Sequence, residues 1–171
     1  MLRFRVCSAA RCCERNGSQR WASRLISGLL LSVAAPIVCA AQSPGQKIFS
    51  SECANCHQPD GAGAVGLAPP LRDSLKPYLA STEGRGYLAQ IVVSGMAGPI
   101  KSNGQMCNGV MPNFRQHSDA ELAATLAYVL QQFNGVAAND PALPTAAQIA
   151  EARQRAPTPG ATRTLRQQLR P

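Results

Sequence analysis

Aromatic residues make up 5% of the 171-residue chain (four Phe, three Tyr and one Trp), while Gly and Pro number 14 and 13. A chain so poor in large rings and so rich in helix breakers builds only a modest core from its own side chains. A large buried cofactor would help to fill it. Long apolar runs are scarce too. The stretch "LISGLLLSVAAPIV" (25–38) contains Pro36 and falls short of the roughly 20 residues a spanning helix needs. Arg20 and Arg24 precede it and "CAAQ" follows, with Val38 and Ala40 suiting a small-residue cleavage rule. Residues 1–40 are therefore expected to be a signal peptide that exports the chain to the periplasm. Membrane association would require that leader to stay uncleaved.

Acids are few, 9 against 17 Lys and Arg, giving a net charge of +8. The excess sits at the two ends. Residues 1–40 carry six Arg against Glu14, and residues 141–171 carry five Arg against Glu151, whereas residues 41–140 hold six bases and seven acids. A nucleic-acid interface needs a basic face on the folded domain, and the near-neutral middle offers none. Four of the seven cysteines (Cys7, Cys12, Cys13 and Cys39) fall within the leader, leaving Cys53, Cys56 and Cys107. An odd number excludes a simple disulfide framework. Histidine is limited to His57 and His117, and three of the four methionines crowd into "MAGPIKSNGQMCNGVM" (96–111).

The remaining pattern describes short helices joined by long loops, as one domain over 41–140. Ser43 as N-cap and Pro44 at the first helical position open a helix across "SPGQKIFSSECAN" (43–55). Residues 57–77 read as loop. A second helix spans 84–95, with Leu88, Ile91 and Val92 inward and Gly95 as its stop. Residues 96–117 read as irregular. Ser118 and Glu121 form a capping box for a helix over 118–133, whose stripe is Leu122, Leu126, Val129, Leu130 and Phe133. A C-terminal extension (141–155) adds a short helix capped by Thr145. From Ala156 to Pro171 the chain reads as a basic, mobile tail, since it has few apolar residues to anchor it.

"CANCH" (53–57) carries the chemistry. Two thiols three residues apart, followed directly by His, are the signature of covalent haem attachment. Each thiol adds to one vinyl group of the ring, and His57 is then carried beneath the iron. A lone C-x-x-C is also compatible with a redox pair or half of a zinc site. A Cys53, Cys56, Cys107, His117 set would leave His57 without a role and lacks a second tightly spaced pair. The sixth iron position calls for a soft donor. Met111 is stiffened by Pro112, Met106 lies five residues earlier between polar residues, and Met96, after the Gly95 stop, reads as packing. His117, beside a helix start, reads as a solvated residue.

These motifs resemble class I monohaem c-type cytochromes of bacteria. The resemblance covers roughly 43–134 and rests on "IFSSECANCHQPDGAG", "APPL", "GPIKSNGQMCNGVMPNF" and "HSDAELAATLAYVLQQF". It implies an all-α fold, with short helices wrapped around one covalently bound haem c. It implies that Cys53 and Cys56 hold the haem and that His57 and Met111 are the axial iron ligands. The family's "MP" before the last long helix is what favours Met111 over Met106, which leaves Met96 and Met106 as packing for the loop that carries it. It further implies that the Pro69 carbonyl accepts the ring N–H of His57, that Leu71 packs on the haem, and that Gly45 and Phe49 lie against Tyr128. Cys107 and the basic tail depart from the family pattern.

The function so implied is one-electron carriage rather than catalysis, as a soluble carrier or as the cytochrome subunit of a redox complex. The partners implied are a periplasmic dehydrogenase or other respiratory donor, and a copper-type reductase or terminal oxidase. The alternative is a haem sensor or peroxidase-like protein with a displaceable sixth ligand.

Overall fold

The computed structural model describes residues 42–169, so the expected leader lies outside the described residues. Helix α1 (Pro44–Ile48) begins where expected, with the Ser43 hydroxyl accepting the Gln46 amide at 3.2 Å. It continues through a π-helical turn (Phe49–Cys53) into α2 (Ala54–His57). A 3₁₀ turn (Lys76–Ala80) precedes α3 (Thr82–Ser94), which Ser81 caps and Gly95 ends. Helix α4 (Asp119–Asn134) carries the full Ser118–Glu121 capping box and stops at Gly135 in the left-handed conformation. Its start is fixed because Ser118 and Glu121 each satisfy a backbone N–H that the first turn leaves unpaired.

Helices α1 and α4 cross at close range. A Cβ on Gly45 would lie 2.1 Å from the Ala124 carbonyl oxygen, so only glycine fits there. Beside the crossing, the Phe49 ring packs tilted at 5.5 Å from Tyr128 and 5.1 Å from Phe133, the first being a contact that the family resemblance implies. The main core gathers Leu88 and Val93 of α3 with Leu122 and Leu130 of α4. The described residues are mostly helical, as the all-α expectation requires.

Two regions differ from the sequence reading. The stretch expected to be irregular contains two short antiparallel pairs. In one, β2 (Ile100–Ser102) pairs with β3 (Gln105–Cys107) across Asn103-Gly104, both at positive φ. Asn-Gly is the residue pair that a two-residue hairpin turn favours, and that signal was present in the sequence. In the other, β1 (Met96–Ala97) pairs with β4 (Val110–Met111), which makes Met96 and Met111 direct cross-strand neighbours.

The second difference is the C-terminus. Helix α5 (Ala146–Arg155) has a capping box of Thr145 with Gln148, and places Ile149 and Ala152 fully inside the main core. Burying an Ile side chain contributes about 1.5–3 kcal/mol. The residues expected to form a mobile tail instead form α6 (Pro159–Leu169). Thr162 of α6 is completely buried, and its hydroxyl accepts the Gln90 side-chain amide of α3 at 3.1 Å. Among the described residues no helix is long and apolar enough to cross a membrane.

Candidate functional site

A deep apolar cleft opens between α2, α3, α4 and the strand region, with about 1320 Å³ of atom-free space, part of it open to solvent. Cys53, Cys56, His57, Pro69, Leu71 and Met111 all line it. The fold therefore brings together every site residue expected from the sequence.

Cys53 and Cys56 are free thiols one turn apart on the same helical face. Burial, with Glu52 and Cys56 nearby, pushes the Cys53 thiol up to about 11. A reactive redox pair needs the opposite shift, toward thiolate. Nor do the described residues hold any group of three or more His, Cys, Asp or Glu placed to bind a metal ion. His117 is turned instead to Glu52, with Nε2 2.7 Å from the carboxylate.

The position of His57 follows from the turn after it. Gln58 leaves the helix at φ +64, and Gly63 donates its amide back to the His57 carbonyl at 2.9 Å. Gly63 sits at φ +75 with the Ala68–Pro70 backbone pressed against it. The loop thus folds back, and the His57 Nδ1 lies 2.9 Å from the Pro69 carbonyl oxygen. A carbonyl can only accept, so Nδ1 carries the proton and Nε2 keeps its lone pair. Burial lowers the His57 pKa, while the Pro69 bond raises it. A neutral, oriented imidazole is the form that ligates a metal. Leu71 is held by Asn134 of α4, whose side-chain amide donates to the Leu71 carbonyl at 3.0 Å and whose oxygen accepts from the Leu75 amide at 2.8 Å.

Of the three methionines, Met96 and Met111 line the cleft and Met106 does not. Met111 lines the cleft from β4. Met96 is buried at 6% exposure in a small cluster with Ile100 and Cys107, and its side of β1 also reaches the cleft. Met106 is 58% exposed, so its expected packing role is not observed. On β3 its side chain points away from Cys107, which the strand alternation turns inward to 2% exposure. That burial makes Cys107 a small core residue.

Sequence reasoning missed Tyr78, Tyr87 and Arg166 as cleft residues. Tyr78 and Tyr87 stack at 4.8 Å along one wall, brought together by the 3₁₀ turn and α3. Arg166 belongs to α6 and had no local signal.

The donor set fits a thioether-bound haem. It offers two helical thiols, an adjacent imidazole with a free Nε2, a thioether and an apolar cleft. Comparison with known proteins agrees. Residues 42–133 match the family model described as Cytochrome c. The chain is similar to two proteins named cytochrome c-552, both from Thermus thermophilus. One is 42% identical over 89 residues, which is 52% of this chain and 60% of that protein. The second is 41% identical over 88 residues, covering 52% of this chain and 66% of that protein. The matches thus span less than two thirds of the length of these relatives. Since the family match covers more than half of the chain, the protein belongs to the cytochrome c family and carries covalently bound haem c with its iron.

Proposed function

We propose that the protein is a monohaem, class I one-electron carrier with His57 and Met111 as axial ligands, attached through Cys53 and Cys56. The observation that carries this reading is the 2.9 Å contact from His57 Nδ1 to the Pro69 carbonyl, which fixes the tautomer with Nε2 free for iron. Bound in this way, haem c supplies an iron centre that takes up and releases one electron. The protein's part is to hold the ring dry and its ligands still. Pro69 orients His57. Asn134 pins Leu71 and Leu75 on the cleft wall. Pairing of β4 with β1 steadies Met111, and Pro112 stiffens the residue beside its sulfur. A thioether ligand favours the ferrous state and so raises the potential. Held by His57 and Met111, the haem group would supply electron transfer with no position left for a substrate.

The chain would work in the periplasm, between a dehydrogenase or other respiratory donor and a copper-type reductase or terminal oxidase. The apolar rim of the cleft supports contact with such proteins. Leu67 and Val110 line the cleft at 51% and 72% exposure, and Val65 stands two residues before Leu67. The 66 and 108 backbones are joined there by a 2.9 Å hydrogen bond, which makes the rim one surface.

Ligand assignment is tested by substitution. Met111→Ala should abolish the ferric sulfur-to-iron charge-transfer band and lower the potential, whereas Met106→Ala should leave both in place. Loss of the band in the Met106 variant would reassign the ligand. Rapid, tight carbon monoxide binding by the unaltered ferrous protein at neutral pH would replace the carrier with a sensor or peroxidase-like protein.

A further inference from the structure

The charged side chains lining the cleft are Glu52 and Arg166. Glu52 is engaged, accepting from His117 at 2.7 Å and from Gln116 at 3.1 Å. Arg166 comes from α6, beyond the family-matched segment 42–133. One of its nitrogens donates to the Lys101 carbonyl at 3.0 Å, which uses one of five guanidinium N–H groups. Tyr78 and Tyr87 line the same cleft, where burial raises their hydroxyl pKa values and the Arg166 charge counters that rise. Ser102, next to Lys101, lines the cleft as well. Arg166, Tyr78, Tyr87 and Ser102 thus make a polar end to an otherwise apolar cavity.

Arg166 is half-buried on the cleft lining, and the guanidinium N–H groups it has left over suit a two-pronged bond to a carboxylate. Haem c carries two carboxylates, on the edge of the ring away from its thioether bonds. We propose that Arg166, with Tyr78 and Tyr87, holds a haem carboxylate, so that the C-terminal helix supplies the charge partner of the cofactor. The helix is fixed for this task one turn earlier. Thr162 is locked to Gln90 of α3, and Arg163 lies across Gly98. Residues 162, 165, 166 and 169 recur at helical spacing, so the face that docks α6 also presents Arg166.

The test uses the full haem-loaded chain. The pyridine haemochrome spectrum reports whether haem is attached, independently of how its carboxylates are held. Arg166→Gln should lower the midpoint potential, because losing a positive charge beside the ring favours ferric iron. It should also shift the carboxylate bending bands in the resonance Raman spectrum. Arg166→Lys should keep most of the potential but still shift the bands, since an ammonium cannot give a two-pronged bond. Arg155→Gln removes an exposed charge from α5, away from the cleft, and should move neither. Unshifted bands in Arg166→Gln overturn the proposal, as does an equal fall in potential in Arg155→Gln. If Arg166→Gln does not load haem, Arg166→Lys decides: shifted bands support the carboxylate contact and unshifted bands overturn it.

Discussion

Of the glycines that lie in helices, Gly45 and Gly86 have opposite reasons to be there. At Gly45 an added methyl would meet the Ala124 carbonyl at 2.1 Å, so α1 and α4 would have to separate. Gly45→Ala is expected to destabilise the holoprotein by about 1–3 kcal/mol, the usual cost of overpacking. Gly86, within α3, has nothing within 4 Å of the same position. Gly86→Ala should stabilise by about 0.5–1 kcal/mol through helix propensity alone. Guanidinium unfolding measures both, with the slope unchanged between variants. Equal effects of the same sign would show that the crossing is looser than described. At this scale the sequence was largely legible. "CANCH" names its own chemistry, and the Pro69 carbonyl lies where the family resemblance puts it. Arg166 was not legible, because nothing within ten residues of it hints at a cleft; only the docking of α6 brings it there.

The start of α4 depends on one carboxylate. Glu121 accepts from both the Ser118 hydroxyl and the Ser118 amide, and these bonds hold its pKa below the usual value. A group whose folded pKa is depressed stabilises above its unfolded pKa and loses that contribution as pH falls through the folded value. Thermal stability should therefore fall with acidification more steeply in the unaltered protein than in Glu121→Gln. The glutamine keeps the shape of the capping box without the charge. Parallel pH profiles of Tm would show that the capping carboxylate contributes nothing by its ionisation. Helix starts were legible for the same reason that this one titrates: Ser43, Ser118 and Thr145 each cap through a local side-chain bond. Helix α6 was not. Its inward face offers only Leu165 and Leu169 as apolar residues, and its buried Thr162 is satisfied by Gln90, 72 residues away. Long-range satisfaction of a polar group leaves no periodic trace in the sequence.

Across the whole molecule, the extension behaves as part of the fold rather than as an appendage. Ile149 and Ala152 fill the main core, and Arg153 ties α5 to the segment before α4. It donates to Asp119 at 2.9 Å, to the Arg115 carbonyl at 3.0 Å and to the His117 carbonyl at 2.8 Å. The basic character of the C-terminus is thus partly consumed in holding the protein together. The strongly exposed residues on the cleft lining are apolar, Leu67 and Val110, with Val65 beside them. An apolar contact face has a kinetic signature that needs no knowledge of the physiological partner. Electron self-exchange brings two copies together through their most exposed ring edges, and NMR line broadening in mixtures of oxidised and reduced protein gives its rate. With an uncharged rim, the rate should change little as salt rises, since there is no charge at the contact to screen. Val110→Asp places like charges face to face. It should slow exchange at low salt and recover part of the loss as the Debye length shrinks to about 8–10 Å at physiological salt. The potential should stay close to that of the unaltered protein, which separates a docking effect from a change at the iron. If Val110→Asp exchanges at the original rate, the electron leaves by another face. If the unaltered protein is strongly salt-dependent, charge outside the rim governs the encounter.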